Sequence, residues 1–350
     1  MSRFMNSHLD AMAAYMPGEQ PKDMAYIKLN TNEAPFPPAP SVCDAVKAED
    51  VALLRLYSDP TGSGLKKKLA DLYGVSPENI FLSNGSDETL NFAFMAFGQG
   101  GVVFPDISYG FYKVYGDLYD LSYEQIPLKE DFSLDFQDYC GKNRMVVIAN
   151  PNAPTGLSIP RWQVEEMLKS NPDNVVLIDE AYVDFGGESC YPLMEKYENL
   201  LVVRTFSKSR CLAGGRLGYA IGPKALIDDL EKIKFSTNPY NLDRLTLKLG
   251  EATVDAEAYY RAMCEEIIRV RGWTDTKLKE LGFEVIDSKT NFLFAKSDKK
   301  SGGELYEALK SRGILVRHFS APRTKDYIRI TIGTAEQMET FIEKLKEILL

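Results

Sequence analysis

Thr205-Phe206-Ser207-Lys208 sets two hydroxyls directly before a lysine, and Arg216 follows eight residues later in Ala213-Gly214-Gly215-Arg216-Leu217-Gly218. The run before them, Leu200-Leu201-Val202-Val203, is continuously apolar, as a strand buried on both faces requires. The lysine therefore falls just past a strand's carboxyl end, where an open α/β sheet binds ligands. A lone lysine there is ordinarily a solvated charge. Two hydroxyls and a guanidinium alter its prospects, because together they can hold a phosphate ester close to an amine. Such an amine can condense with the aldehyde of a phosphate-bearing cofactor.

Three further groups suit the same chemistry. Asp179 follows the buried run Val175-Val176-Leu177-Ile178 and can sit beside a ring nitrogen. A carboxylate there keeps the nitrogen protonated, so the ring can accept the electrons of a carbanion. The opposite charge predicts a low pKa for Asp179. Tyr182, three residues on, can donate to a ring oxygen. Gly85-Ser86-Asp87 opens a helix, whose free N–H groups and positive dipole end favour an anion. For Asp87 the expected contact is the backbone N–H, with the side chain capping the helix. Pyridoxal phosphate is the cofactor that this set of groups would serve.

The elements that must position these groups alternate along the chain. Residues 1–30 read as irregular, broken by Pro17, Gly18 and Pro21. Leu29 to Pro40 carries four prolines in its last six residues and reads as an extended segment, pinned at its Asn-rich start. Leu65, Leu69, Leu72 and Tyr73 have helical spacing, with Gly74 as the stop. Ile80–Leu82 predicts a strand, and an apolar helix follows from about Leu90 to Phe97. Strands follow at Val102–Phe104, Met145–Ala149, Val175–Ile178, about Asn199–Val203 and Tyr219–Ile221, with helices at Tyr109–Tyr119 and Arg161–Lys169 between them. The economical fold is α/β: a mainly parallel, doubly wound sheet. After residue 245 the pattern becomes αββαββα. It opens on a long helix, Ala256–Leu281, with Tyr259, Met263, Ile267, Val270 and Leu278 as its stripe. The expected organisation is an N-terminal arm over 1–44, a large cofactor-binding domain over 45–245 and a small α+β domain over 246–350.

Composition narrows the function classes. The chain has 350 residues, 45% hydrophobic and 26% charged, as in ordinary globular proteins. Its formal charge of −9, without a block of Lys or Arg, argues against nucleic acid or an anionic membrane as partner. No apolar run is long enough to span a bilayer, and the N-terminus has no signal-peptide core. The five scattered cysteines include no CxxC pair, which predicts reduced thiols and a cytoplasmic protein. Cys211 lies near Lys208 but has no evident base partner. The only histidines, His8 and His318, have no ligand company, so neither a metal site nor a Ser-His-Asp hydrolase is expected.

With these motifs in place, the chain resembles the fold-type-I pyridoxal-phosphate-dependent aminotransferases, and among them the histidinol-phosphate aminotransferases. The resemblance runs nearly end to end. It rests on Leu29-Asn30-Thr31-Asn32-Glu33, Tyr57-Ser58-Asp59-Pro60, Asn84 to Glu88, Pro105 to Tyr109, Asn150 to Gly156, Asp179 to Tyr182, Thr205 to Lys208, Arg216, Val316-Arg317 and Arg329 to Thr334. It implies that Lys208 carries the cofactor, that Tyr109 stacks on its ring, and that Thr205, Ser207 and Arg216 hold its phosphate. It implies that Tyr57 reaches the same phosphate from a partner subunit, hence a homodimer with shared sites. Arg329 would take the substrate α-carboxylate, Arg317 a substrate phosphate, and Tyr15 would close over the substrate. The substrates would be small amino and keto compounds, with transamination between glutamate and histidinol phosphate as the reaction.

The sequence departs from that pattern in two places, and Pro37, where the family often has a glycine, leaves its segment extended all the same. The family carries an asparagine directly before Pro-Thr-Gly, which bonds the ring oxygen, and here the position is Ala153. The resemblance leaves two candidates for that contact: Asn152, one residue earlier, or Tyr182 alone. Three other readings share most of these motifs: an aromatic aminotransferase, a threonine-phosphate decarboxylase, and a non-catalytic protein that only binds the cofactor.

Overall fold

A computed structural model describes residues 4–10, 12, 15 and 18–350. The two-residue strand β1 (Ile27–Lys28) opens the regular structure. Seven strands then build the main sheet: β2 (Ile80–Ser83), β3 (Val102–Pro105), β4 (Tyr123–Ile126), β5 (Met145–Ala149), β6 (Val176–Asp179), β7 (Leu200–Thr205) and β8 (Gly218–Ile221). Their order is β2-β8-β7-β6-β5-β3-β4. All pairs are parallel except those of β8, which runs antiparallel to both β2 and β7. Leu200, Leu201, Val202 and Val203 are each 0% exposed, so both faces of β7 are covered, as its unbroken apolar run demands. Each such side chain contributes roughly 1.5–3 kcal/mol by leaving water.

The direction of β8 decides where functional groups can stand. Its neighbours end at the same rim where β8 begins. Ser83 and Thr205 both pair with Gly218 there, and Arg216 lies two residues before it. A Cβ on Gly218 would lie 2.4 Å from Gly85 C and Ser86 N, so only glycine lets the turn into the next helix approach this closely.

A second sheet has the order β12-β13-β10-β9. It is made of β9 (Phe283–Ile286), β10 (Phe292–Ser297), β12 (Arg317–His318) and β13 (Tyr327–Thr331), while β11 (Ile314–Leu315) pairs in parallel with β1. Helices Glu257–Glu280, Gly302–Lys310 and Ala335–Leu349 pack with it around a core containing Phe283, Leu293, Leu305, Ile328 and Phe341. The N-terminal arm spans both bodies. Leu29 is buried in this core, whereas Ala39 and Val42 are buried with the main sheet. Among the described residues, no helix is long and apolar enough to cross a membrane.

Several elements differ from the sequence expectation. The helix after β2 starts at Gly85, not near Leu90, because its first turn is polar and carries no apolar period. Edge strand β4 was not expected, since Tyr-Glu-Gln-Ile is half-exposed and lacks a buried run. Helices Lys224–Thr237 and Arg244–Asp255 were also not expected. In the long helix the buried stripe is Tyr260, Cys264, Ile267, Val270, Arg271, Thr274 and Leu278. Tyr259 and Met263 flank it. Arg271 enters this stripe because its guanidinium bonds the Phe185 carbonyl at 2.9 Å and the Thr290 carbonyl at 2.5 Å.

Gly218→Ala should lower unfolding free energy by about 2 kcal/mol, because the new methyl must displace backbone. Gly214→Ala, with nothing within 4 Å of its Cβ, should stay within about 0.5 kcal/mol of the parent. Denaturant unfolding of both variants checks this.

Candidate active site

The strand ends meet at a cavity of about 340 Å³, lined by Ser86, Asp87, Tyr109, Asp179, Tyr182, Thr205, Ser207, Lys208 and Arg216, with Thr31 and Glu33 from the arm. A second cavity of about 220 Å³ adjoins it and is lined by Tyr15, Arg317, Phe319 and Arg329. Thr31, Tyr109, Ala153, Tyr182 and Lys208 line both, so the lysine stands at their junction.

Each side chain is held by its surroundings. Lys208 Nζ donates to the Thr31 carbonyl at 3.2 Å and lies 5.8 Å from the centre of the Tyr182 ring. Asp179 ends β6 and is 5% exposed. Its carboxylate accepts from the Tyr112 hydroxyl at 2.9 Å and from the Ala181 N–H at 3.1 Å. Burial outweighs these bonds and pushes its pKa up to about 6. The low value expected from the sequence needs the cationic ring beside Asp179; in the chain alone the low-dielectric sheet interior raises it. Thr205 Oγ1 accepts from the Ser207 N–H at 3.1 Å, fixing the turn that presents Lys208.

Asp87 does not cap its helix, as the sequence reading expected. Asn84 occupies that position, and the Glu88 carboxylate accepts its N–H at 2.7 Å. The Asp87 carboxylate instead accepts from the Tyr109 hydroxyl at 2.7 Å and from Arg216 Nη2 at 3.2 Å. It thus fixes an aromatic ring and a guanidinium on one wall. Gly85, at φ 73°, gives Arg216 its room: a Cβ there would lie 2.4 Å from Nη2.

The second cavity is cationic. Arg317 and Arg329 face each other across β12 and β13. Among the described residues neither guanidinium pairs with a carboxylate. Arg329 Nη2 donates to the Asn30 carbonyl at 3.0 Å, and its buried Nε has no partner. Burial, then the neighbouring Arg317, lower the Arg329 pKa below the ordinary value. Phe319 lies under both cations, 5.8 Å from Arg317 and 5.7 Å from Arg329. Two fixed cations without counter-charges suit a substrate with more than one anionic group.

Two predicted residues lie elsewhere. Asn152 Nδ2 donates to the Ile107 carbonyl and to Thr155 Oγ1, each at 3.0 Å, and its Oδ1 accepts from Ser108 Oγ at 2.8 Å. Its amide bonds its own loop through Thr155 and the loop after β3 through Ile107 and Ser108, and it lines a different cavity from Lys208. Tyr57 is 77% exposed, stacks on Tyr240 at 4.3 Å and lines neither active-site cavity of its own chain. Tyr15 packs on Phe111 at 4.2 Å at the edge of the second cavity. Its neighbours Ala14, Met16 and Pro17 lie outside the described residues. Cys211 is no nucleophile candidate, since burial pushes its thiol up to about 11.

Sequence reasoning missed three contributors. Tyr112 supports Asp179, and only its place three residues after Tyr109 hinted at a shared face. Asn32 donates to the Tyr182 hydroxyl at 2.8 Å. Beneath the site lies a buried charged group. Arg204 bonds Asp184 and lies 3.8 Å from Glu180, while Ser209 also bonds Asp184. It ties the loop after Asp179 to the loop that carries Lys208.

The family model for aminotransferase class I and II matches residues 25–345. The histidinol-phosphate aminotransferase of Brachyspira hyodysenteriae is 49% identical, over 100% of this chain and 99% of that protein. That of Clostridium acetobutylicum is 47% identical, over 99% of each. The crystal structure of histidinol-phosphate aminotransferase from Sinorhizobium meliloti, solved with pyridoxal-5′-phosphate, superposes with a TM-score of 0.89. It is 22% identical over 100% of this chain and 98% of that one, which shows the shared fold. The chain belongs to the class I and II aminotransferases, in the group of the histidinol-phosphate aminotransferases.

Proposed function

We propose that the chain binds pyridoxal 5′-phosphate in the larger cavity and moves an amino group between glutamate and the keto counterpart of histidinol phosphate. The observation that carries this reading is the position of Lys208, at the junction of a cavity holding Asp179 and Arg216 and one holding Arg317 and Arg329. The donor set fits the cofactor. Gly85 and Gly218 leave the backbone of the first helical turn clear for a phosphate, beside the Thr205 and Ser207 hydroxyls and Arg216. Lys208 supplies the amine and Asp179 the buried carboxylate.

When bound, the cofactor supplies an aldehyde carbon and a cationic ring that withdraws electrons from the substrate Cα. Asp179 would hold that positive charge at the ring nitrogen, and the charge would in turn stabilise its carboxylate. Tyr182 would donate a hydrogen bond to the ring oxygen. Tyr109, held by Asp87, would pack against the ring. Ser86 and Asp87 would offer backbone N–H groups to the phosphate. Lys208 Nζ takes the proton from the amino donor's Cα as general base and, as general acid, delivers one to the acceptor's Cα. Arg329 binds the glutamate α-carboxylate, Arg317 binds the phosphate of the other substrate, and Tyr15 covers the entrance.

The assembly belongs to the same proposal. Val51, Leu53, Leu54, Leu56 and Tyr57 are exposed apolar side chains in one short stretch. A homodimer in the cytoplasm would cover them and bring Tyr57 to the partner's phosphate site.

Lys208→Ala should abolish turnover, and normal transamination by that variant sinks the assignment. Arg317→Ala should lose rate strongly with the phosphorylated substrate, yet leave the glutamate half-reaction nearly unchanged. Equal losses in single-turnover assays of both halves refute its role. Asp179→Asn should lose activity by orders of magnitude while stabilising the cofactor-free chain at alkaline pH. The sign follows from linkage: the raised Asp179 pKa favours the folded chain below about pH 4, and that gain is lost as pH rises through about 6. Asparagine cannot ionise. At pH 8 the cofactor-free variant should therefore be more stable by about 1–3 kcal/mol, with the gap closing near pH 4. Denaturant unfolding across that range measures it.

A further inference from the structure

Three consecutive residues of the arm each touch a different functional side chain. The Asn30 carbonyl accepts from Arg329 Nη2 at 3.0 Å. The Thr31 carbonyl accepts from Lys208 Nζ at 3.2 Å. Asn32 Nδ2 donates to the Tyr182 hydroxyl at 2.8 Å.

Asn32 is the most constrained of the three. It is 1% exposed and has φ 58°, a left-handed conformation that asparagine tolerates better than most side chains. Its N–H donates to Thr331 Oγ1 at 3.0 Å, and the Thr331 hydroxyl donates back to Asn32 Oδ1 at 3.0 Å. Its carbonyl accepts from Asn291 Nδ2 at 3.0 Å. With Oδ1 engaged by Thr331, Nδ2 is the end of the amide left for Tyr182.

That direction matters chemically. A phenol has a single proton. Because Asn32 donates to the Tyr182 oxygen, the Tyr182 proton is not spent on Asn32 and remains for an acceptor in the cavity. A phenol whose oxygen already accepts a hydrogen bond is also a stronger donor, because linked hydrogen bonds polarise one another.

We propose that Asn32 is a positioning residue for the reaction: it holds Tyr182 as an obligate donor toward the cofactor's ring oxygen. It thereby supports from behind the contact that Ala153 cannot make and that Asn152 is turned away from. This inference rests on the cofactor assignment above. It also ties the ring-oxygen donor to β13, since Thr331 and Arg329 are two residues apart on the same face of that strand.

The test follows the visible absorbance of the holoenzyme as a function of pH. A donor at the ring oxygen stabilises its anionic form, which dominates at high pH, so losing the donor moves the titration to higher pH. Tyr182→Phe should show the full upward shift. Asn32→Gly, which adopts the left-handed backbone without strain, should shift upward by about half a unit. In the double variant Asn32→Gly/Tyr182→Phe, the Asn32 contribution should vanish. Asn32→Asp provides a second route if the glycine variant folds poorly. It keeps the contacts to Thr331 but presents a carboxylate that takes the Tyr182 proton, so its titration should rise at least as far as that of Tyr182→Phe. Asn32 variants titrating at the parent pH, or a glycine shift that adds in full to that of Tyr182→Phe, overturn the inference and leave the cofactor assignment standing. A parent holoenzyme with no titrating visible absorbance overturns the assignment itself, and the inference with it.

Discussion

β8 lies between β2 and β7 and runs opposite to both, so its first residue sits at the rim where its neighbours end. Two consequences follow. Arg216, just before β8, is delivered to the same edge as Ser83, Asp179 and Thr205. Gly218 then permits a backbone approach that any side chain would block, and the helix after β2 can open directly against the guanidinium. In a sheet with only parallel neighbours, the start of that strand would stand at the opposite edge, a strand's length from Lys208. The proposed phosphate cradle is thus a product of strand direction before it is a product of residue type.

Buried charge is the second organising theme. Asp179 accepts two hydrogen bonds, yet its pKa is still pushed up to about 6, because the sheet interior penalises its ionised form. Arg204, Glu180 and Asp184 form a satisfied group just below it. Breaking a buried ion pair by removing one partner is strongly destabilising, whereas replacing all partners together can be neutral. The group therefore acts as a fixed shelf: it joins the loops on either side of β7 without itself lining either cavity. Among the described residues Arg317 and Arg329 pair with no carboxylate, which is why the proposal gives them the substrate anions.

Much of this was legible in the sequence where one physical signal dominated. Val175 to Ile178 and Leu200 to Val203 are unbroken apolar runs, and both are central strands with the expected polar residue at the end. Gly74 stops its helix in the left-handed conformation that glycine favours. The legibility failed where partners are distant in sequence or where two effects compete. Asp87 looked like a cap because a cap is local, and its real partners, Tyr109 and Arg216, come from other elements. The Asp179 pKa was read from a future charge partner, whereas burial sets it in the chain. Asn152 seemed available because a sequence does not show that its amide is used up by Ile107, Ser108 and Thr155. The expected stripe of the long helix slipped by one residue at its start because Tyr259 and Tyr260, and Met263 and Cys264, are apolar neighbours that spacing alone does not separate, and further on it missed Arg271, a buried arginine that breaks the apolar rule.

The arm carries a consequence for how the site comes into being. Asn32 and Thr331 are 299 residues apart, and so are Asn30 and Arg329. Contacts of such separation close large loops, which costs chain entropy. A growing chain can complete the main sheet, with Lys208 and Asp179 in place, well before Thr331 has been synthesised. The tyrosine hydroxyl then has no neighbour from the arm to orient it. The arm's contacts with Arg329 and Thr331 therefore wait for β13, the strand that carries both.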